Sequence, residues 1–381
     1  MKCRCCGQEL PYGALLEYHN MPKSAQFFPD ETNVQGERGV DLRLHQCRLC
    51  GMLQLAGEPV PYYREVVRAT RVSQEMREFR IRQFSEWLDK YRLREKRMVE
   101  IGCGAGEFLD MMKESGAHPC GIEYSSELVT AAQREGHRVW KMAIETEDTR
   151  IPEGPYDAFY ILSFLEHNPA PGMYLRGIAN NLTEEAVGLV EVPDVDMILR
   201  ENLYSEFIQD HLLYFTEDTL RRLLEWNGFE VLSCASIWHG YVLSAEVRKR
   251  KQLNVSGFLK QQEKVRQSVN AFLSAMETQN LTVAVWGAGH QALADLALLD
   301  IAPRIRCVLD SAPFKQDKLT PATHIPICSP DVLNQGTIGA VLVIAGSYSS
   351  EILRLLRTQY PGVVRATLRK DGVEIDDGVA I

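Results

Sequence analysis

Glu100-Ile101-Gly102-Cys103-Gly104-Ala105-Gly106 is the first stretch whose residue types and spacing suggest chemistry. It follows an apolar run from Met98, precedes helix-forming residues from Glu107, and is succeeded by a second apolar run that ends in Glu123. Glycines let a ligand approach the backbone because no Cβ intervenes. A carboxylate at the end of the second strand can accept both hydroxyls of a ribose. The spacing is G-x-G-x-G rather than the G-x-G-x-x-G of a dinucleotide loop. Glu100 would repel a phosphate there and attract a cationic amino acid. These features point to S-adenosylmethionine, with Glu100, Gly102, Gly104, Gly106 and Glu123 at its site and Ser163 assigned to the same rim.

Cys3-x-x-Cys6 and Cys47-x-x-Cys50 form a second constellation, each pair followed by glycine (Gly7 and Gly51). Two such knuckles offer four thiolates to one tetrahedral zinc ion in a closed structural site. Cys5 is an extra thiol that could replace Cys3 or Cys6. A redox CxxC would need a thioredoxin-like βαβ setting, which the surrounding sequence lacks.

A third is Gly287-Ala288-Gly289-His290-Gln291-Ala292, after the strand-like run 281–286 and followed by a run ending in Asp310. Its G-x-G-x-x-A spacing also suits a dinucleotide, so a dehydrogenase unit is an alternative for 281–381. His290 and Gln291 are bulky where a pyrophosphate would approach. The preferred reading is a site for the phosphates or sugar of a nucleotide substrate at the helix N-terminus.

These residues need three positioning frames. A chain of 381 residues exceeds one ordinary core. Residues 1–58 read as a zinc-binding module and 59–247 as an α/β unit with a leading helical stretch (Val60 to Lys96). Residues 248–381 read as a second, Rossmann-like α/β unit. In the middle unit, strands at 98–101, 119–123, 137–142, 156–162 and 187–192 alternate with helices, which implies a doubly wound sheet. Thr216 caps a helix to Asn227, and 229–247 reads as a hairpin. Arg248-Lys249-Arg250-Lys251 reads as a solvated linker, followed by a polar helix over 252–279.

A net charge of −9 argues against nucleic-acid binding. No apolar run reaches the ~18 residues of a membrane span. The N-terminus lacks a signal-peptide core, and the cytoplasm is the expected compartment.

The combination resembles the sugar C-methyltransferases of deoxysugar pathways, S-adenosylmethionine-dependent enzymes with a class I methyltransferase core that act on nucleotide-linked 4-keto sugars. Gln209-Asp210-His211-Leu212-Leu213-Tyr214-Phe215 is similar to their D/E-H-x-x-x-F/Y-S stretch. Asp310 to Pro321 is close to their D-x-x-x-x-K-Q-x-x-x-x-P, followed by His324-Ile325-Pro326-Ile327. The resemblance implies that His211, with Asp210 beside it, removes a proton from the carbon to be methylated. Histidine suits that task because it titrates near neutrality. It also sets His167 at the cleft mouth and His239 with the substrate, although Tyr241 replaces a family glycine. Gly287, Gly289, His290, Asp310, Lys315 and Lys318 would then hold the nucleotide-sugar. The family's tyrosine two residues before the acidic-His pair is Ile208 here, and its Tyr- and Ser-rich stretch falls at 66–71. An O- or N-methyltransferase, or a zinc-containing assembly protein with a vestigial core, are the alternatives.

Overall fold

The computed structural model describes residues 1–23, 28–64 and 72–376, and the chain divides into two compact units, Met1–Gln252 and Leu253–Ile381. The first unit begins with strands β1 (Leu16–Met21), β2 (Val40–Gln46) and β3 (Leu53–Leu55), then helix α1 (Gln74–Tyr91). Strand and helix next alternate through β4 (Met98–Ile101), α2 (Glu107–Glu114), β5 (Pro119–Glu123), α3 (Ser126–Arg134) and β6 (Val139–Lys141). The alternation continues with β7 (Tyr156–Leu162), α4 (Pro171–Ala179), β8 (Leu182–Pro193) and α5 (Val195–Arg200). The short β9 (Leu213–Tyr214), α6 (Glu217–Trp226) and a hairpin of β10 (Phe229–Ile237) and β11 (Val242–Lys249) complete it.

The main sheet runs β10-β11-β8-β7-β4-β5-β6. Strands β4 to β8 pair in parallel, whereas β11 lies antiparallel between β8 and β10. The doubly wound expectation therefore holds with one reversed strand, because a tight hairpin can join only antiparallel neighbours. All four residues of β4 and all five of β5 are buried, as parallel strands covered on both faces must be. Since β4 sits between β5 and β7, the strand order reverses at its C-terminal end. Open α/β sheets bind ligands at that crevice.

Several local readings shift. Arg248 and Lys249 belong to β11 rather than a linker, and Lys249 Nζ donates to the Leu182 carbonyl at 2.9 Å. Helix α1 starts at Gln74, where the Ser73 hydroxyl accepts the Met76 N–H. The earlier part of the expected helical stretch includes residues 65–71, outside the described residues, as does the family stretch at 66–71. Thr216 caps α6, and its hydroxyl accepts the Thr219 N–H.

The N-terminal module does not complete its own sheet. The order is β1-β2-β3-β9, and β9 comes from residues just after His211. Cys3, Cys47, Cys50 and Met52 share one apolar cluster with Phe215, Leu220 and Leu223.

In the second unit, α7 (Ser256–Thr278) leads into β12 (Val283–Trp286), α8 (His290–Leu298), β13 (Val308–Leu309) and β14 (Ile327–Cys328). Then follow β15 (Ala340–Val343), α9 (Ser349–Gln359), β16 (Val364–Arg369) and β17 (Gly372–Ile375). The order is β14-β13-β12-β15-β16-β17, parallel except for β17. The loop after β12 thus occupies this unit's own switch point.

Candidate active site

The turn after β4 is left-handed at Gly102, Gly104 and Gly106, with φ of 76°, 55° and 95°. That region strains residues carrying a Cβ. A Cβ on Gly102 would also lie 3.2 Å from the Phe164 ring. Glu123, at the tip of β5, accepts the Gly104 N–H through Oε2 at 3.0 Å and the Ser125 N–H through Oε1 at 2.8 Å. Glu100 and Glu123 are both buried, so two carboxylates flank a glycine cradle. Such a set fits a ribose diol and an ammonium group, the recognition elements of S-adenosylmethionine. Ser163, at the end of β7, is exposed and left-handed (φ 53°), its N–H donating to the Glu191 carbonyl.

Phe164 links this loop to the histidines, with its ring centroid 6.4 Å from that of His167. His167 in turn stands edge-on to His211 at 4.7 Å. A single helical turn, Leu165–His167, follows β7 and buries Glu166 and His167. His167 Nδ1 lies 2.8 Å from the Asp210 carbonyl oxygen. Since that oxygen only accepts, Nδ1 carries the proton. The Leu212 N–H donates to the Glu166 carbonyl, and the Leu55 N–H to the Leu212 carbonyl. The loop carrying His211 is thus held between the turn after β7 and strand β3. Tyr62 donates its hydroxyl to Asp210 Oδ1 at 2.8 Å.

Electrostatically the cluster is unusual. Burial pushes the Glu166 carboxyl up to about 8. Burial also pushes His167 down to about 4, and burial together with the neighbouring His167 pushes His211 down to about 3. One donor atom from each of Glu166, His167 and His211 lies within 4.8 Å of the others. A surface cavity of about 490 Å³, lined in part by Lys23, Phe28, Tyr62 and Gln209, opens beside this loop.

Cys3, Cys6, Cys47 and Cys50 converge, with their sulfurs all within 4.8 Å of one another. The Cys3–Cys50 and Cys6–Cys47 separations are both 3.6 Å. Tetrahedral zinc with bonds of about 2.3 Å separates its sulfurs by about 3.8 Å, so the residues fit the ion. Gly7 and Gly51 donate their N–H groups back to the carbonyls of Cys3 and Cys47. Gln54 Nε2 donates to Cys3 Sγ at 3.2 Å. Cys5 stands outside the four-sulfur group.

His239 occupies the β10–β11 turn, where it is exposed and 3.3 Å from a Glu75 carboxylate oxygen. None of its recorded partners belongs to the Glu166 cluster. In the second unit, Gly287 is left-handed (φ 124°), and a Cβ there would meet the Ile344 carbonyl oxygen at 2.5 Å. Asp310 Oδ2 accepts from the Ala288 N–H and the Lys315 ammonium, and Oδ1 from the Ala312 N–H. Gly289 caps α8, His290 opens it, and both His290 and Lys318 are exposed.

Sequence reasoning missed Glu166, Tyr62 and Phe164. Glu166 and Phe164 adjoin His167 in one motif, so their proximity was available. Tyr62 carried no signal, because its partner Asp210 lies 148 residues away.

A family model described as a methyltransferase domain matches residues 73–234. Another, described as a C-methyltransferase C-terminal domain, matches residues 243–361. The chain is 24% identical over 387 residues to the C-methyltransferase NovU of Streptomyces niveus, covering 92% of this chain and 91% of that protein. It is 33% identical over 179 residues to a ubiquinone biosynthesis O-methyltransferase of Aeromonas salmonicida, covering 42% of this chain and 74% of the relative. Among solved structures, an S-adenosylmethionine-dependent methyltransferase from Clostridium acetobutylicum superposes with a TM-score of 0.39 at 13% identity, covering 50% of this chain and 96% of that one.

Proposed function

The chain belongs to the S-adenosylmethionine-dependent C-methyltransferases, and from that premise we propose that its acceptor is the carbon beside the carbonyl of a nucleotide-linked keto-deoxysugar. S-adenosylmethionine, when bound, supplies an electrophilic methyl group. Glu123 accepts its ribose hydroxyls, Glu100 faces its ammonium end, and the glycines of the β4 turn leave room for its methionine portion. A carbon acceptor must first lose a proton, and that task falls to the Asp210–His211 pair. Asp210 is aimed by the Tyr62 hydroxyl, and His211 is held on the loop pinned to β3. Methyl transfer otherwise asks for alignment rather than an acid.

The observation that carries this reading is the contact chain from Gly102 through Phe164 and His167 to His211. It sets the donor loop beside two imidazoles that burial keeps neutral, the form that can accept a proton from the acceptor. In the second unit by itself, Gly287, Gly289, His290, Lys315 and Lys318 are read as a set for phosphate or sugar, since basic groups and a helix N-terminus suit phosphate. Zinc at Cys3, Cys6, Cys47 and Cys50 is assigned a structural role, anchoring β3 and through it the β9 loop. His239 and Ser163 stay at the substrate and donor rims in this reading.

The test offers nucleotide 4-keto sugars to the enzyme in deuterated water. Deuterium should enter the α-carbon, and His211→Gln should abolish that exchange while leaving S-adenosylmethionine affinity intact. A product methylated on oxygen, with no exchange at carbon, overturns the proposal. It would favour the O-methyl transfer suggested by the 33% identity to the Aeromonas salmonicida protein.

A further inference from the structure

The cluster of Glu166, His167 and His211 contains more ligand capacity than the acid–base reading uses. We propose that these three side chains bind one divalent first-row cation, separate from the four-cysteine site, which receives the carbonyl oxygen of the acceptor.

The geometry is that of a two-imidazole, one-carboxylate donor set. His167 Nδ1–H is committed to the Asp210 carbonyl, so its Nε2 lone pair is left for the cluster, 3.8 Å from Glu166 Oε1. A metal-ligating histidine commonly fixes its other ring nitrogen on a carbonyl in this way. Two ligands at about 2.1 Å from a shared ion can stand at most about 4.2 Å apart, so the observed separation is compatible. Glu166 Oε2 is fully buried and has no hydrogen-bond partner among the described residues. The recorded ion pair of Glu166 is with His167, not with a lysine or arginine. Burial without a partner cation favours the protonated form of that carboxyl. A divalent ion would displace the proton, pair with the carboxylate and take both imidazoles as neutral ligands.

Two imidazoles with one carboxylate suit zinc, manganese, iron(II), cobalt or nickel better than calcium or magnesium. Glu166 and His167 are buried, whereas His211 is partly exposed. An acceptor would therefore reach such an ion from the His211 side, the less buried edge of the cluster.

The role in catalysis rests on the carbon-acceptor reading. A cation that polarises the carbonyl acidifies the adjacent C–H. Of the Asp210–His211 pair to which proton removal is assigned, His211 would then hold the metal and the Asp210 carboxylate would take the proton, so that His211→Gln still abolishes exchange through loss of the metal. The C–H electron pair becomes the C=C bond, and the carbonyl π pair moves to oxygen. The enolate carbon then forms its bond to the methyl group as the S–CH3 bond breaks, its pair remaining on sulfur.

The zinc-loaded full-length protein is titrated with Mn2+, and free Mn2+ is followed by electron paramagnetic resonance. Manganese, a hard ion, does not displace zinc from thiolates. One equivalent should bind, and Glu166→Gln and His211→Gln should each weaken it by about tenfold to a hundredfold. Zinc content and S-adenosylmethionine affinity, the latter by calorimetry, should be unchanged in both variants. Mn2+ binding no tighter in the parent than in Glu166→Gln overturns the site. Undiminished α-carbon exchange after all non-thiolate metal is stripped overturns the metal's role while leaving the carbon-acceptor reading standing. Tight Mn2+ binding without carbon exchange leaves the metal site standing and overturns that reading.

Discussion

The two glycine loops share a topology and differ in charge. Each follows the first strand of its parallel sheet, and each faces an acid at the end of the neighbouring strand, Glu123 or Asp310. Glu123 is met by two backbone N–H groups. Asp310 has the same kind of backbone contacts but is also neutralised by Lys315 at 2.8 Å. Two residues before its first glycine, the first loop has buried Glu100, where the second has buried Val285. One fold thus presents two buried carboxylates at one switch point and a single carboxylate paired with a lysine at the other.

The difference is best broken at the glycines. Gly287→Ala forces a Cβ against the Ile344 carbonyl at a φ that L residues rarely adopt. We expect it to destabilise the second unit by ~3 kcal/mol or more, read by denaturant unfolding, with S-adenosylmethionine affinity unchanged. Glu123→Ala should do the opposite. Calorimetry should show S-adenosylmethionine affinity falling by about 100-fold, or ~2.7 kcal/mol, while Asp310→Ala leaves it untouched. Equal losses in those two variants would erase the contrast, and so would NAD(P)H binding at the second loop.

Smaller effects sharpen it. Lys315→Met leaves a largely buried carboxylate without its ammonium and should destabilise the second unit by ~1 kcal/mol. The same variant should alter acid unfolding. Burial would raise the Asp310 carboxyl, but Lys315 and the Ala312 and Ala288 N–H groups hold it below the usual carboxylate range. Its stabilisation is therefore complete above the unfolded value of about 3.9 and is lost as pH falls through the lower folded value. Thermal melts between about pH 5 and 2 should show the parent keeping this contribution to lower pH than Lys315→Met.

What could be read from sequence was local. The β4 turn, each CxxC knuckle by itself and the Thr216 cap depend on residues a few positions apart, and Glu123 reaches the Gly104 N–H across only 19 residues. The alternation of strands and helices likewise indicated a parallel sheet. The two-residue β9 carries no periodicity of its own and exists because β3 offers it an edge. The Arg248–Lys249 pair looked solvated because its charges hid a strand whose lysine reaches the Leu182 carbonyl. At the candidate site, His167 and His211 were visible as residue types. The Glu166 carboxylate gained meaning only once burial removed its solvent and the chain brought His211 beside it.

The pairing of β3 with β9 also has a consequence in time. During synthesis the cysteine knuckles and β3 emerge before β9, and the strand that closes their sheet follows roughly 160 residues later, several seconds to half a minute at ordinary elongation rates. For that interval the edge of β3 is an open template. It is covered only when the chain has been made past His211, so the loop that carries the proposed chemistry also ends the exposure of a nascent sheet edge.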